Sequence, residues 1–178
     1  MNIVNAKPFL TVKDFSVSGE SFELLHDADL DMLITHPQPS LEKLPSYYES
    51  KDYISHTDGN KSLFEKLYQF VKSIALKNKL NLINSESQKG KILDIGAGVG
   101  DFLSVCKNDG WQTVGIEPSE KAKAIAIQKG VSFVNDLASL ENNSFDIITM
   151  WHVLEHVPNL EEYISELKRL IKPNGTII

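Results

Sequence analysis

The residues of this chain best placed to do chemistry are Asp94-Ile95-Gly96-Ala97-Gly98-Val99-Gly100, three glycines at alternate positions behind an acid. Glycine lets a backbone take left-handed angles and lets a ligand approach it closely. Ile92-Leu93 before the acid is apolar, and Phe102-Leu103 after the turn opens a helical pattern. Strand, tight turn and helix N-terminus in that order form the usual place where an α/β sheet holds a nucleotide-like ligand. Two ligands compete for it. A pyrophosphate held by Gly-x-Gly-x-x-Gly needs its third glycine where Asp101 stands, and a carboxylate is a poor neighbour for that group. A cationic amine suits Asp94 better, directly or through water. Glu117, seventeen residues after Gly100, is placed to accept both hydroxyls of a ribose. His152 and His156 are the bases available nearby, and histidine titrates close to neutral pH.

These residues need a scaffold, and the pattern supplies one. Lys91–Ile95, Gln112–Ile116, Val131–Val134 and Phe145–Met150 are expected strands, with a fifth beginning at Thr176 after the turn Pro173-Asn174-Gly175. Helices are expected over Val99–Asn108, from Pro118-Ser119-Glu120 to Gly130, and from Asn159 through Leu170 to Lys172. Ser119 reads as an N-cap and Gly130 as a left-handed residue past a helix end. Alternating strands and helices imply an α/β, doubly wound parallel sheet with right-handed crossovers. Ligands then bind beyond the carboxyl ends of the strands. The glycine turn, Glu117, Asn135-Asp136 and Trp151-His152 should meet there. Upstream, a helix is expected from about Asn60 to Ile83, with Leu63, Leu67, Phe70, Val71 and Ile74 as its apolar face and Lys72 off that face.

Bulk properties exclude other classes. The 178 residues fit one domain plus an appendage, and the net charge of −6 comes without any basic run. A nucleic-acid partner is not expected, because phosphate binding needs clustered cations. No apolar stretch approaches ~18 residues and no secretion signal follows Met1, so neither a membrane span nor export is expected. One cysteine, Cys106, fits a reducing cytoplasmic compartment and reads as a small buried hydrophobe.

An amine and a ribose without a pyrophosphate describe S-adenosylmethionine. The motifs Asp94-x-Gly96-x-Gly98-x-Gly100, Gly115-Ile116-Glu117-Pro118-Ser119, Phe145-Asp146-Ile147-Ile148-Thr149-Met150-Trp151-His152-Val153-Leu154-Glu155-His156-Val157 and Leu170-x-Lys172-Pro173-x-Gly175 together resemble the class I S-adenosylmethionine-dependent methyltransferases. Within these, the chain is similar to the subgroup acting on small molecules such as quinone precursors and sugars. The resemblance covers about Lys91 to Ile178. It implies a Rossmann-like sheet of order 3-2-1-4-5, here without the sixth and seventh strands, S-adenosyl-L-methionine as cofactor and a small-molecule methyl acceptor. It also implies roles. Asp94, Gly96, Ala97, Gly98 and Gly100 hold the methionine part; Glu117 binds the ribose and Pro118 flanks the adenine; Asp136 and Leu137 contact the adenine. Met150, Trp151 and His152 form the wall beside the methyl sulfonium, with His152 either a catalytic base or a wall residue. The alternatives are an NAD-binding oxidoreductase domain and a non-catalytic binding or interaction module.

Residues 1–56 are expected to form a β-rich appendage and linker ahead of a methyltransferase domain over 57–178. Strands are expected at Phe9–Val17, Ser21–Leu25 and Met32–Thr35, then an extended connector to Leu44 shaped by Pro37, Pro39 and Pro45. The stretch His26 to Pro39 faintly resembles the end of a zinc module found in some of these methyltransferases. Asp27 and Leu30 stand where its cysteines would be, so no metal is expected. Tyr47, Tyr48, Tyr53 and His56 follow, in a segment that in relatives folds over the cofactor. The strand cut off at Ile178 reads as a fragment of a longer chain.

Overall fold

The computed structural model describes residues 5–40, 42–48 and 63–178. The chain divides into two compact units, Met1–Glu65 and Lys66–Ile178. The boundary expected between residues 56 and 57 lies outside the described residues, as do Tyr53, His56 and the side chain of Tyr48.

The first unit is an antiparallel sheet of β1 (Lys7–Lys13), β2 (Ser21–Asp27) and β3 (Met32–His36), in that order. The first strand stops four residues short of the expected Val17. Asp14 ends it, because its carboxylate accepts from the backbone N–H groups of Ser16, Val17 and Ser18 and from the Ser18 hydroxyl. These bonds pull the Asp14 carboxyl down to about 2. Asp27 does the same at the next turn, accepting from Asp29 and Leu30 at 2.9 and 3.1 Å. A 3-10 helix, Leu44–Tyr48, ends what was expected to stay extended.

The second unit carries α1 (Leu63–Glu86), β4 (Lys91–Ile95), α2 (Asp101–Asn108), β5 (Gln112–Ile116), α3 (Glu120–Gln128), β6 (Phe145–Thr149), α4 (Leu160–Leu170) and β7 (Ile171–Ile177). The sheet runs β5-β4-β6-β7 and every pair is parallel. Ile92 and Ile147 point to one face, against Phe102, Leu103 and Cys106 of α2. Leu93, Ile95 and Ile148 point to the other, against Leu167 and Leu170 of α4. Alternate residues of one strand thus feed two cores, as expected of a sheet covered on both sides. Burial of Cys106 pushes its thiol up to about 12. Among the described residues no helix is long and apolar enough to cross a membrane.

Three elements depart from expectation. Val131–Val134 contributes only a bridge, Phe133 opposite Gly115. Its ladder is confined because Val131 N–H bonds back to Ala126, and Asp136 draws the chain into a turn by accepting from Ser139 N–H. The stretch Pro173-Asn174-Gly175 lies inside β7 as a bulge, since Phe145 pairs with Ile171 while Ile147 pairs with Thr176. Lys172 therefore leaves the helix and places its ammonium 2.8 Å from both oxygens of Asp146.

The third departure is α1. Its packed face is Leu76, Leu80 and Ile83, half a turn around the helix from the expected stripe. Leu67, Phe70, Val71 and Ile74 are exposed. The helix is apolar on two opposite sides, and period alone does not say which one meets the sheet. Lys72 and Lys79 share the packed side with Leu76, Leu80 and Ile83, a placement that matters below.

Candidate functional site

The turn after β4 is tied to the end of β5 by its backbone. Gly96 and Ala97 N–H both donate to the Ile116 carbonyl, at 2.8 and 3.0 Å. Gly96, Gly98 and Gly100 all have left-handed φ, at 73, 53 and 72°, angles that cost an ordinary residue ~1–2 kcal/mol. Gly98 also faces open space, with no described residue within 4 Å of where a Cβ would point, whereas a Cβ on Gly100 would come within 2.6 Å of Ala126 Cβ. Gly98 therefore leaves a cradle above the turn, and Gly100 allows α3 to pack beneath it.

Glu117, at the end of β5, is 6% exposed. Its Oε2 accepts from Gly98 N–H at 2.9 Å and its Oε1 from Ser119 N–H at 2.8 Å. One carboxylate therefore fixes the glycine turn against the start of α3. A carboxylate offers about four lone-pair sites, so two remain for a ligand. Ser119 caps α3 as expected, accepting from Ala122 N–H.

Asp94 lies under the turn, 3% exposed. The Thr149 hydroxyl donates to its Oδ1 at 2.6 Å. Burial pushes the Asp94 carboxyl up to about 7, and the Glu117 charge adds to this; the Thr149 bond and the Lys79 charge act the other way. The Lys79 ammonium, from α1, lies 4.2 Å from the centre of the Trp151 ring and 6.0 Å from that of Phe102. Those two rings meet edge to face at 5.8 Å. Asp101, at the first turn of α2, is bound by Lys72 and by Lys129 at 2.6 Å. Burial alone would push its carboxyl up, and the two lysines together bring it below the usual carboxylate range.

The remaining residues named from the sequence fall into two groups. Met150 and Trp151 follow β6 and are half-buried beside the cores. Trp151 Nε1 is buried without a hydrogen-bond partner among the described residues. Leu137 packs in the second core, and its carbonyl accepts from Arg169 at 2.9 Å. Asp136 and Pro118 are exposed, Asp136 with its carboxylate turned onto Ser139 N–H. His152 is not brought against Asp94 or Glu117. Its side chain is 93% exposed, with Nδ1 3.7 Å from Glu155. Nor does it share a helical face with His156: His152 has a φ of 58°, and the helix that follows is the short Leu154–His156. A left-handed residue cannot sit inside an α-helix, so the two imidazoles leave the chain independently. In the first unit, Tyr47 donates to Glu20 and packs edge-on against Phe22. A separate cavity of about 480 Å³ there is lined by Phe22, Pro37, Lys43 and Tyr47 and includes none of the residues around the glycine turn.

Two participants were not singled out from the sequence. Thr149 carries a signal, a hydroxyl directly after the buried pair Ile147-Ile148 that must find a partner. Lys79 carries none, because its role depends on which side of α1 is packed.

Residues 63–178 match the model of a family described as a methyltransferase domain. The ubiquinone biosynthesis O-methyltransferase of Thiobacillus denitrificans is 33% identical over 97 residues, covering 49% of this chain and 42% of that protein. That of Saccharophagus degradans is 30% identical over 111 residues, covering 56% and 47%. This chain thus spans less than half the length of these curated relatives. The crystal structure of an S-adenosylmethionine-dependent methyltransferase from Archaeoglobus fulgidus is similar with a TM-score of 0.54 at 26% identity, over 65% of this chain and 55% of that one. Phosphoethanolamine N-methyltransferase 2 of Haemonchus contortus, in complex with S-adenosyl-L-methionine, is similar with a TM-score of 0.50 at 25% identity, over 56% and 27%.

Proposed function

This chain belongs to the methyltransferase-domain family, and from that premise we propose that it binds S-adenosyl-L-methionine and directs its methyl group to a small-molecule acceptor. The observation that carries the reading is the pairing of a buried Asp94 with the open cradle over Gly98. An uncharged ligand would give no reason to keep a carboxylate there, since an ionised group under such burial is costly unless a cation meets it. The curated relatives are O-methyltransferases and the Haemonchus neighbour is an N-methyltransferase, so the acceptor atom is an oxygen or nitrogen of a small molecule.

In this reading Asp94 takes the ammonium of the methionine end, and Gly96, Ala97, Gly98 and Gly100 let the backbone lie against it. Glu117 keeps its bonds to Gly98 and Ser119 and accepts the ribose hydroxyls on its remaining lone pairs. Pro118, Asp136 and Leu137 border the adenine. When bound, the sulfonium supplies an electrophilic methyl group. The protein's work is alignment, which converts a bimolecular displacement into an effectively unimolecular one. Met150 and Trp151 wall that path against water. His152 takes the proton released by the acceptor. Its exposed imidazole is open to an acceptor. The strand order 3-2-1-4-5 belongs to this reading, with Phe133 holding the place of the third strand, and β1 to β3 are an appendage to the catalytic domain.

Calorimetry with S-adenosylmethionine, S-adenosylhomocysteine and NAD tests the assignment. Micromolar binding of the first two and none of NAD is expected, and preferential binding of NAD removes the reading.

A further inference from the structure

Among the described residues, the Lys79 ammonium has no acceptor to bind. It is half-buried on the packed side of α1, among Leu76, Leu80 and Ile83. Within that described part it makes no hydrogen bond and no ion pair, only the contacts with the faces of Trp151 and Phe102. An ammonium has three donors, and an aromatic face satisfies its charge without using them. The two rings that receive it come from different elements and meet in one core. Phe102 is in the first turn of α2, directly after Gly100 and Asp101, and Trp151 follows the end of β6. The Lys79 charge also acts on Asp94. The crevice therefore presents a buried anion and, within its electrostatic reach, a cation whose donors are unused. The ligand end that complements such a pair is itself a zwitterion, an ammonium for Asp94 and a carboxylate for Lys79.

We propose that Lys79 is a ligand-binding residue that holds the carboxylate of the cofactor's amino-acid end, with the Trp151 and Phe102 rings as the platform that keeps its ammonium in place. This rests on the reading that the crevice takes S-adenosylmethionine. Other cations in this region are engaged: Lys72 and Lys129 both bind Asp101. Lys79 thus selects for a ligand with a free carboxylate rather than merely adding positive potential. The aromatic platform restricts the lysine stem, so less side-chain entropy is lost when the carboxylate arrives.

The test compares three ligands on the full chain: S-adenosylmethionine, its decarboxylated form, which keeps the ammonium and lacks the carboxylate, and 5′-methylthioadenosine, which lacks both. A charge-assisted contact of this kind corresponds to about 10- to 100-fold in affinity. Lys79→Met is expected to weaken S-adenosylmethionine by that factor and to leave the other two within about twofold, while Lys79→Arg recovers most of the loss. Binding of the decarboxylated form by Lys79→Met also reports that the site is folded. Equal weakening of all three ligands means a structural role and overturns the proposal, as does unchanged affinity for S-adenosylmethionine. Wild-type protein that binds none of the three overturns the cofactor reading itself, and this proposal with it.

Discussion

Replacing Asp94 by asparagine should make the ligand-free protein more stable at alkaline pH and worse at binding its cofactor. The exchange keeps an acceptor for the Thr149 hydroxyl, 2.6 Å away, and removes a charge that is 3% exposed. Burial lifts the Asp94 carboxyl from its ordinary 3.8 to about 7. The folded state therefore holds this proton more tightly than the unfolded chain does. Below about pH 4 both states are protonated and the group has no effect. As the pH rises from about 4 to about 7 the unfolded chain releases the proton first, and folding is progressively disfavoured. At 1.36 kcal/mol for each pH unit, the full displacement amounts to about 4 kcal/mol. Asparagine brings a new buried donor that costs ~1–3 kcal/mol, but that cost does not vary with pH. The observable is therefore the slope. Urea unfolding of both proteins from pH 4 to pH 8 should show the stability difference moving in favour of Asp94→Asn by up to about 4 kcal/mol. Taking the difference cancels Asp101 and Asp146, whose lowered carboxyls give the opposite slope in both proteins. Affinity for S-adenosylmethionine should fall at least about tenfold in the variant, since a charge-assisted bond is lost. A stability difference that is the same at pH 4 and pH 8 refutes the reasoning, because it means that folding does not raise the Asp94 carboxyl.

Two further substitutions separate binding from stability. Gly98→Ala, where a Cβ meets no described residue within 4 Å but φ is 53°, should lose ~1–2 kcal/mol of stability and most of its cofactor affinity. Gly100→Ala, whose Cβ would meet Ala126 at 2.6 Å, should lose more stability than Gly98→Ala; thermal melting beside calorimetry of both proteins checks the order. At acid pH the pair Asp146–Lys172 should show itself. Burial pushes the Asp146 carboxyl up, but bonds from Lys172 and from Lys91 N–H outweigh it and bring it down. Its stabilising effect is present above the ordinary carboxylate range and is lost as the pH falls through its lowered value. Lys172→Met should therefore be less stable than wild type at pH 6 and converge with it at strongly acid pH, as followed by circular dichroism during acid titration.

Local chemistry makes much of this protein legible in its residues alone. An acid closing an apolar run and followed by glycines at alternate positions marks a tight turn, because glycine takes left-handed angles at no steric cost, and Gly96, Gly98 and Gly100 all have such angles. Ser119 and Gly130 mark the two ends of α3 because capping depends on neighbours in the chain. Strands β4, β5 and β6 are legible as short apolar runs bounded by turn residues. What local chemistry leaves open are choices between equivalent partners. The helix α1 has two apolar sides, and only the sheet decides that Leu76, Leu80 and Ile83 are covered, carrying Lys72 and Lys79 inward with them. The third strand and the start of β7 depend on where their neighbours stop offering hydrogen bonds, which puts a bridge at Phe133 and a bulge at Gly175. The separation of His152 from His156 comes from a single left-handed residue at a position where no glycine announces it. Sequence thus determined the charged, glycine-lined turn, because only glycine takes these left-handed angles without steric cost. Tertiary structure decided what surrounds it, because burial of Asp94 and the approach of Lys79 are set by elements far away along the chain.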